Sequence, residues 1–320
     1  MAKQTRLLTA SDAAAAARIL INGGIVALPT ETVYGLAANA LDAEAVAAVF
    51  AAKGRPADNP LIVHVARPGG IDALTRGVPD AARRLIDAFW PGPLTLVLNA
   101  APAVPEAVTA GLSTVAVRCP AHPVMRAVIE ACGFPVAAPS ANLSGRPSPT
   151  TAAHVMQDLD GRIDAVIDGG ECDVGIESTV LDMSSEKPCV LRPGAVTRGM
   201  IESVLGQNTA AAPRGGTPKS PGLKYRHYAP KAPMRILDCP EDACEGAVVL
   251  CCDEERGLFA SFRTLPLGPK SDPAAMMRRL YAALREADAL DPPLIAATCP
   301  DGDGFAALRD RLYRASAADN

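Results

Sequence analysis

Clusters of polar residues in this chain sit just beyond short apolar runs, where α/β sheets usually hold their ligands. Pro29-Thr30-Glu31-Thr32-Val33-Tyr34-Gly35 follows the run IVALP. Its hydroxyls and amides, Thr32 among them, can hold a small polar substrate or simply shape a turn. Lys53-Gly54-Arg55-Pro56, then Asn59-Pro60, leads into LIVHVA, which carries His64. Lys53 and Arg55 lie past a helix C-terminus and can pair with its dipole. The glycine and prolines among them equally suit a shaped loop that presents cations to an oligophosphate. His64 reads as a satisfied core histidine or as a ligand. Thr114 and Arg118 share one face of the strand TVAVR. Arg118 there suits either a carboxylate gripped by its planar fork or a surface salt bridge. PSANLSG (139–145), with Ser140 and nearby Ser148, offers short hydroxyls and amides for sugar or phosphate oxygens, though loops are generally rich in such residues. Ser178 opens one strand and Arg192 closes another.

What is missing narrows the chemistry. The chain has no G-x-x-x-x-G-K-[ST], no G-x-G-x-x-G and no G-x-S-x-G. No Cys/His/carboxylate spacing suggests a catalytic metal cage. The residues describe a basic, hydroxyl-lined anion pocket that positions substrates, and by themselves leave the reaction class open.

The elements that must carry these clusters follow from periodicity and caps. Ser11 and Asp12 precede an Ala-rich helix stopped at Gly23-Gly24, and Asp42 caps a helix running to about Lys53. Residues 79–89, 123–132 and 197–205 read as further helices. IVALP, LIVHVA, LTLVLNA, STVAVRC, PVAAPSAN, DAVIDGG, STVLDM and CVLRPG read as short strands, and TETVYGLAANA as a loop. Several strands follow one another without a helix between, which predicts a mixed, twisted α/β sheet. Residues 207–233 are rich in Pro, Gly and basic residues and read as a linker. Beyond them, MRILD, GAVVLCC and LIAAT alternate with helices at 273–288 and 303–316, a second small α/β unit. The expected division is 1–206, a linker or lid at 207–233, and 234–320.

With 320 residues, 49% hydrophobic and 21% charged, the chain can bury a core without staples. The net charge of −4 argues against tight nucleic-acid binding, which neutralisation of phosphates would drive. The nine cysteines form no metal or redox spacing and read as small buried hydrophobes in a reducing compartment. With no apolar leader and no membrane-length apolar run, a soluble, cytoplasmic protein is expected.

PTETVYGL (29–36), KGRPADNPLIVH (53–64), the strand ending in Arg118, APSANLSG (138–145), ESTVLD (177–182), LRPG (191–194) and SPGLKYRHYAP (220–230) together resemble the YrdC-like family in its long, two-domain form. The resemblance implies a twisted mixed sheet with a concave basic face, followed by a Rossmann-like domain. It also implies a reaction: threonine, bicarbonate or CO2, and ATP accompanied by Mg²⁺ give threonylcarbamoyl-AMP and pyrophosphate. Downstream proteins, bound transiently, would then modify tRNA. Carried over residue by residue, the threonine site takes Thr32, His64, Arg118, the backbone near Ala138, and Ser178. The ATP site takes Lys53, Arg55, Asn59, Thr114, Ser140, Ser148, Arg192 and Tyr228, with Lys53, Arg55 and Arg118 carrying the catalytic charge. Tyr225 and Tyr228 among Lys224, Arg226, His227 and Lys231 suggest that the linker folds over the nucleotide. A carbamoyl-transfer maturation factor would need zinc-finger cysteines that this chain lacks, and a non-enzymatic RNA-binding protein sits poorly with its acidity.

Overall fold

The computed structural model describes residues 4–210, 227–237 and 239–316. Its strands in the first half are β1 (Arg6–Thr9), β2 (Val26–Leu28), β3 (Gly35–Asn39), β4 (Ile62–His64), β5 (Leu94–Asn99), β6 (Thr114–Arg118), β7 (Val136–Ala137), β8 (Ala165–Asp168), β9 (Thr179–Asp182) and β10 (Cys189–Arg192). The second half adds β11 (Met234–Ile236), β12 (Val248–Cys252), β13 (Arg263–Gly268) and β14 (Ile295–Ala297). The helices are α1 (Ala13–Ile21), α2 (Ala43–Lys53), α3 (Asp80–Phe89), α4 (Glu106–Thr109), α5 (Pro123–Cys132), α6 (Ala152–Leu159), α7 (Arg198–Leu205), α8 (Pro273–Ala289) and α9 (Ala306–Ser316).

The first ten strands form one mixed sheet in the order β1-β8-β2-β3-β7-β4-β6-β5-β9-β10. The last four form a separate sheet, β11-β14-β12-β13, paired in parallel throughout. Both match the α/β expectation. The segment TETVYGLAANA, read as a loop, instead runs into β3, antiparallel to β2 on one side and β7 on the other. Gly and Ala are weak strand formers, but here ladder pairing and close packing override propensity. Strands β1 and β13 and helices α4 and α6 also escaped the sequence reading.

Local chemistry sets the element ends. Asp42 accepts hydrogen bonds from Glu44 N and Ala45 N at 2.9 and 3.3 Å, and Gly54, at φ 61, closes the same helix. Replacing Asp42 with Ala should lower stability by about 1 kcal/mol. A denaturant melt of that variant checks this, with turnover expected to stay near wild type because the cap is far along α2 from Lys53.

Helix α8 joins the second sheet to the first through a polar stripe. Arg278, Tyr281, Arg285 and Asp288 recur at spacings that share one helix face. Arg278 donates to Asp173 O at 2.7 Å, and Arg285 forms a buried ion pair with Asp158 at 2.8 Å. Asp288 pairs with Arg146 at 2.9 Å and accepts from Lys231 N at 2.7 Å. The backbone approach is close: a Cβ on Gly175, at φ +76, would lie 2.4 Å from Arg278 Cα. No helix among the described residues is long and apolar enough to cross a membrane.

Candidate active site

Strand register builds a cleft from residues far apart in sequence. β4 and β6 are parallel and pair His64 with Arg118, so both residues arrive at the same C-terminal ends of neighbouring strands. Beside them, Ala138 N donates to Ile62 O at 3.0 Å just past β7. Thr30 to Val33 follow β2, and Thr30 folds that turn by accepting from Thr32 N and Val33 N and donating to Val33 O at 2.6 Å. Ser178 precedes β9 and Arg192 ends β10. The cleft is lined by Thr32, Arg55, His64, Arg118, Ala138, Ser140, Ser178, Arg192 and Tyr228 among the expected residues, with Thr30, Glu177 and His227 beside them.

Four expected residues stand elsewhere. Lys53 ends α2, 2% exposed, and its ammonium donates to Ser140 O and, at 2.5 Å, to Asn142 O. It therefore braces the loop that carries Ser140 rather than facing the cleft. Burial, and then the neighbouring Arg55, push its pKa well below the usual lysine range. Ser148 donates to Glu177 Oε1 at 2.5 Å. Thr114 and Asn59 are buried but do not line the cleft, and the Asn59 amide has no hydrogen-bond partner among the described residues. Of the expected lid, Lys224, Tyr225 and Arg226 lie outside the described residues.

Arg118 is not an open fork awaiting a carboxylate. It is 3% exposed, which excludes a surface salt bridge. Its Nη2 pairs with Glu31 at 2.6 Å, Nη1 donates to Thr32 Oγ1 at 2.8 Å, and Nε donates to Gly92 O at 3.1 Å. An incoming carboxylate must use the remaining N–H on each terminal nitrogen or displace Glu31. Burial alone would push the Glu31 carboxyl up, but Arg118 beside it holds it below the usual range. Burial, and then Arg118, drive His64 down to a pKa of about 3, so its imidazole is neutral at physiological pH. His64 Nδ1 is buried with no partner among the described residues. A neutral imidazole with an uncommitted nitrogen suits hydrogen bonding to an uncharged hydroxyl or amine.

The other side of the cleft holds Arg55, Arg192, His227 and Tyr228. Arg55 Nη2 donates to Asn59 O and Pro60 O at 3.3 and 3.4 Å. Arg192 donates to Ser178 O at 3.1 Å and to Ser178 Oγ at 3.2 Å, while Ser178 Oγ also meets Thr95 Oγ1 at 2.8 Å. Among the described residues no cysteine lines the cleft, and the Thr32 and Ser178 hydroxyls are held by arginines rather than by a general base. The arrangement can orient anions and offset their charge, with no protein nucleophile in evidence.

Residues 18–194 match the model of the Sua5_yciO_yrdC family, described as telomere recombination, and residues 196–317 match that of the threonylcarbamoyl-AMP synthase C-terminal domain. The threonylcarbamoyl-AMP synthase of Bacillus subtilis is 43% identical over 95% of this chain and 92% of its own length. The chain belongs to the threonylcarbamoyl-AMP synthase family. The synthase of Pyrococcus abyssi is likewise 43% identical, over 94% of this chain and 93% of its own. The crystal structure of P. abyssi Sua5 complexed with L-threonine superposes with a TM-score of 0.87 at 39% identity, covering 98% of both chains.

Sequence reasoning about this family member missed Glu31, Glu177, Tyr281 and Arg311. The two acids lay inside quoted motifs, PTETVYGL and ESTVLD, and each could have been marked as the internal counter-charge of a buried arginine. Tyr281 was findable from the polar stripe on α8. No sequence signal tied Arg311 to the cleft.

Proposed function

We propose that this chain is an L-threonylcarbamoyladenylate synthase, and that Thr32, His64, Arg118, Ala138 and Ser178 hold threonine while Arg55, Ser140, Arg192 and Tyr228 hold ATP. The observation that carries this is one cleft joining a buried arginine and neutral histidine to a second set of arginines, without a nucleophile of its own. Threonine and bicarbonate or CO2 give a carbamate, whose oxygen attacks the α-phosphorus of ATP and releases pyrophosphate. The substrate supplies the nucleophile, so the protein has to align two anions and offset their repulsion. Orientation of this kind lowers barriers by up to roughly 7–11 kcal/mol in ideal systems. Mg²⁺ enters with the nucleotide's phosphates as part of the substrate. Lys53 serves by bracing the Ser140 loop, and Ser148 by holding Glu177.

The division at 206 and 234 is proposed on the same footing, supported by the two separate sheets. Cytoplasmic placement is supported by nine free thiols, most of them buried. The product would pass to proteins that modify tRNA, in transient contact. Incubating the protein with ATP labelled in its terminal phosphates, bicarbonate and threonine tests the reading. Pyrophosphate release should depend on threonine, and release that ignores threonine, or none at all with RNA retained instead, would overturn it.

A further inference from the structure

A carboxylate stands in the wall of a cleft that this reading fills with a triphosphate. Glu177 lines it beside Arg192 and Tyr228. An uncompensated acid at that point would repel the ligand. Its compensation comes from the other end of the chain. Oε2 accepts from Arg311 Nε of α9 at 2.8 Å and from Tyr281 OH of α8 at 2.8 Å, while Oε1 accepts from Ser148. Arg311 is 0% exposed. Its Nη1 donates to Pro193 O at 3.0 Å and pairs with Asp310 at 2.6 Å, and its Nη2 donates to Glu177 O at 3.4 Å. The same guanidinium lies 5.4 Å from the centroid of the Tyr228 ring, whose ring neighbours are Tyr281 at 5.5 Å and His227 at 5.6 Å.

We propose that Arg311 is a positioning residue for the nucleotide: from the second sheet's last helix it offsets the charge of Glu177, so that an anion can occupy the cleft. The inference rests on the ATP assignment above. Arg311 touches no reacting atom; it acts through a residue that lines the site. The groups facing Glu177 are Ser148, Tyr281, Arg311 and Arg192, with Tyr228 adjacent. Burial pushes the Glu177 carboxyl up, and Arg311 and Arg192 together with the Ser148 hydrogen bond overcome this to hold it at about 2. Without Arg311 the carboxyl must rise, because burial is then opposed only by Arg192 and the Ser148 and Tyr281 hydrogen bonds.

Initial rates of pyrophosphate release by the full-length chain test this. Arg311→Met should raise KM for ATP about 10- to 100-fold, as an unpaired like charge at a binding surface does. KM for threonine should stay within about twofold, the scale on which independent sites add. Lowering the pH from 8 toward 6 should recover part of the lost ATP affinity in Arg311→Met but not in wild type, a response that mere loss of packing would not give. Breaking a buried pair often unfolds a protein, whereas neutralising both partners is tolerated. Glu177→Gln/Arg311→Met is therefore the decisive variant: its KM for ATP should match that of Glu177→Gln alone, and a large further increase would overturn charge compensation. Arg55→Ala separates the two layers of the argument. If it raises KM for ATP while Arg311→Met does not, the role of Arg311 alone falls. If Arg55→Ala leaves ATP binding untouched, the nucleotide assignment falls and takes the inference with it.

Discussion

Valine should replace threonine about 10⁴-fold less efficiently in pyrophosphate release, measured as the ratio of kcat/KM values. Valine has nearly the shape of threonine, so shape alone cannot reject it. The rejection comes from the cleft's polar atoms, which lose their partner when the hydroxyl becomes a methyl. Thr32 Oγ1 is buried against Arg118, Ser178 Oγ against Arg192, and His64 Nδ1 has no partner among the described residues. A neutral His64 suits this task, because a charged imidazole would set a second cation on the strand paired with that of Arg118. Serine keeps the hydroxyl and loses one methyl, so it should fall by only roughly 10- to 200-fold. Comparable use of valine and threonine would show that the hydroxyl is not read.

Arg55→Ala should raise KM for ATP and also lower kcat about 10²- to 10³-fold, the loss that follows removal of one donor aimed at developing charge. Arg55 lines the cleft from the loop after α2, and its Nη2 donates to the Asn59 and Pro60 carbonyls. A phosphate is a stronger partner for its guanidinium than a carbonyl. The melting profile should change little, since the backbone bonds of the loop, such as Arg55 N to Phe50 O at 3.0 Å, do not involve the side chain. Near wild-type turnover in a folded Arg55→Ala protein would remove this residue from the catalytic charge.

Local signals carried the elements that pack as the periodicity says. Helices α2, α5 and α7 begin where Asp42, Pro123 at the first helical position and Thr197 place them, and end at Gly54, Gly133 and Gly206. Sequence reading failed where tertiary pairing overrides composition. β3 is Gly-Leu-Ala-Ala-Asn, and β13 is an edge strand interrupted by Pro266. Helix α6 hides behind PSPTT, where Thr151 turns out to be an N-cap accepting from His154 N at 3.2 Å. The site divides the same way. His64 and Arg118 end apolar strands and stand out in them, so they were legible. Lys53 looked like an exposed cation because its partners, the Ser140 and Asn142 carbonyls, come from a loop 87 and 89 residues away. The pairing of Arg311 with Glu177 spans 134 residues, and no periodicity in either helix or strand encodes it.

Val33 directly follows Thr32 in the cleft turn, yet its side chain belongs to the apolar cluster built around Leu250, Leu280 and Leu308 of the second sheet's unit. Ile176, next to Glu177, does the same. Those two side chains make the cleft a shared property of both cores. Heat that loosens the second core must release the threonine turn at the same moment, so loss of activity and loss of structure should coincide in one cooperative transition. Calorimetry would show it as a single peak whose calorimetric and van't Hoff enthalpies agree.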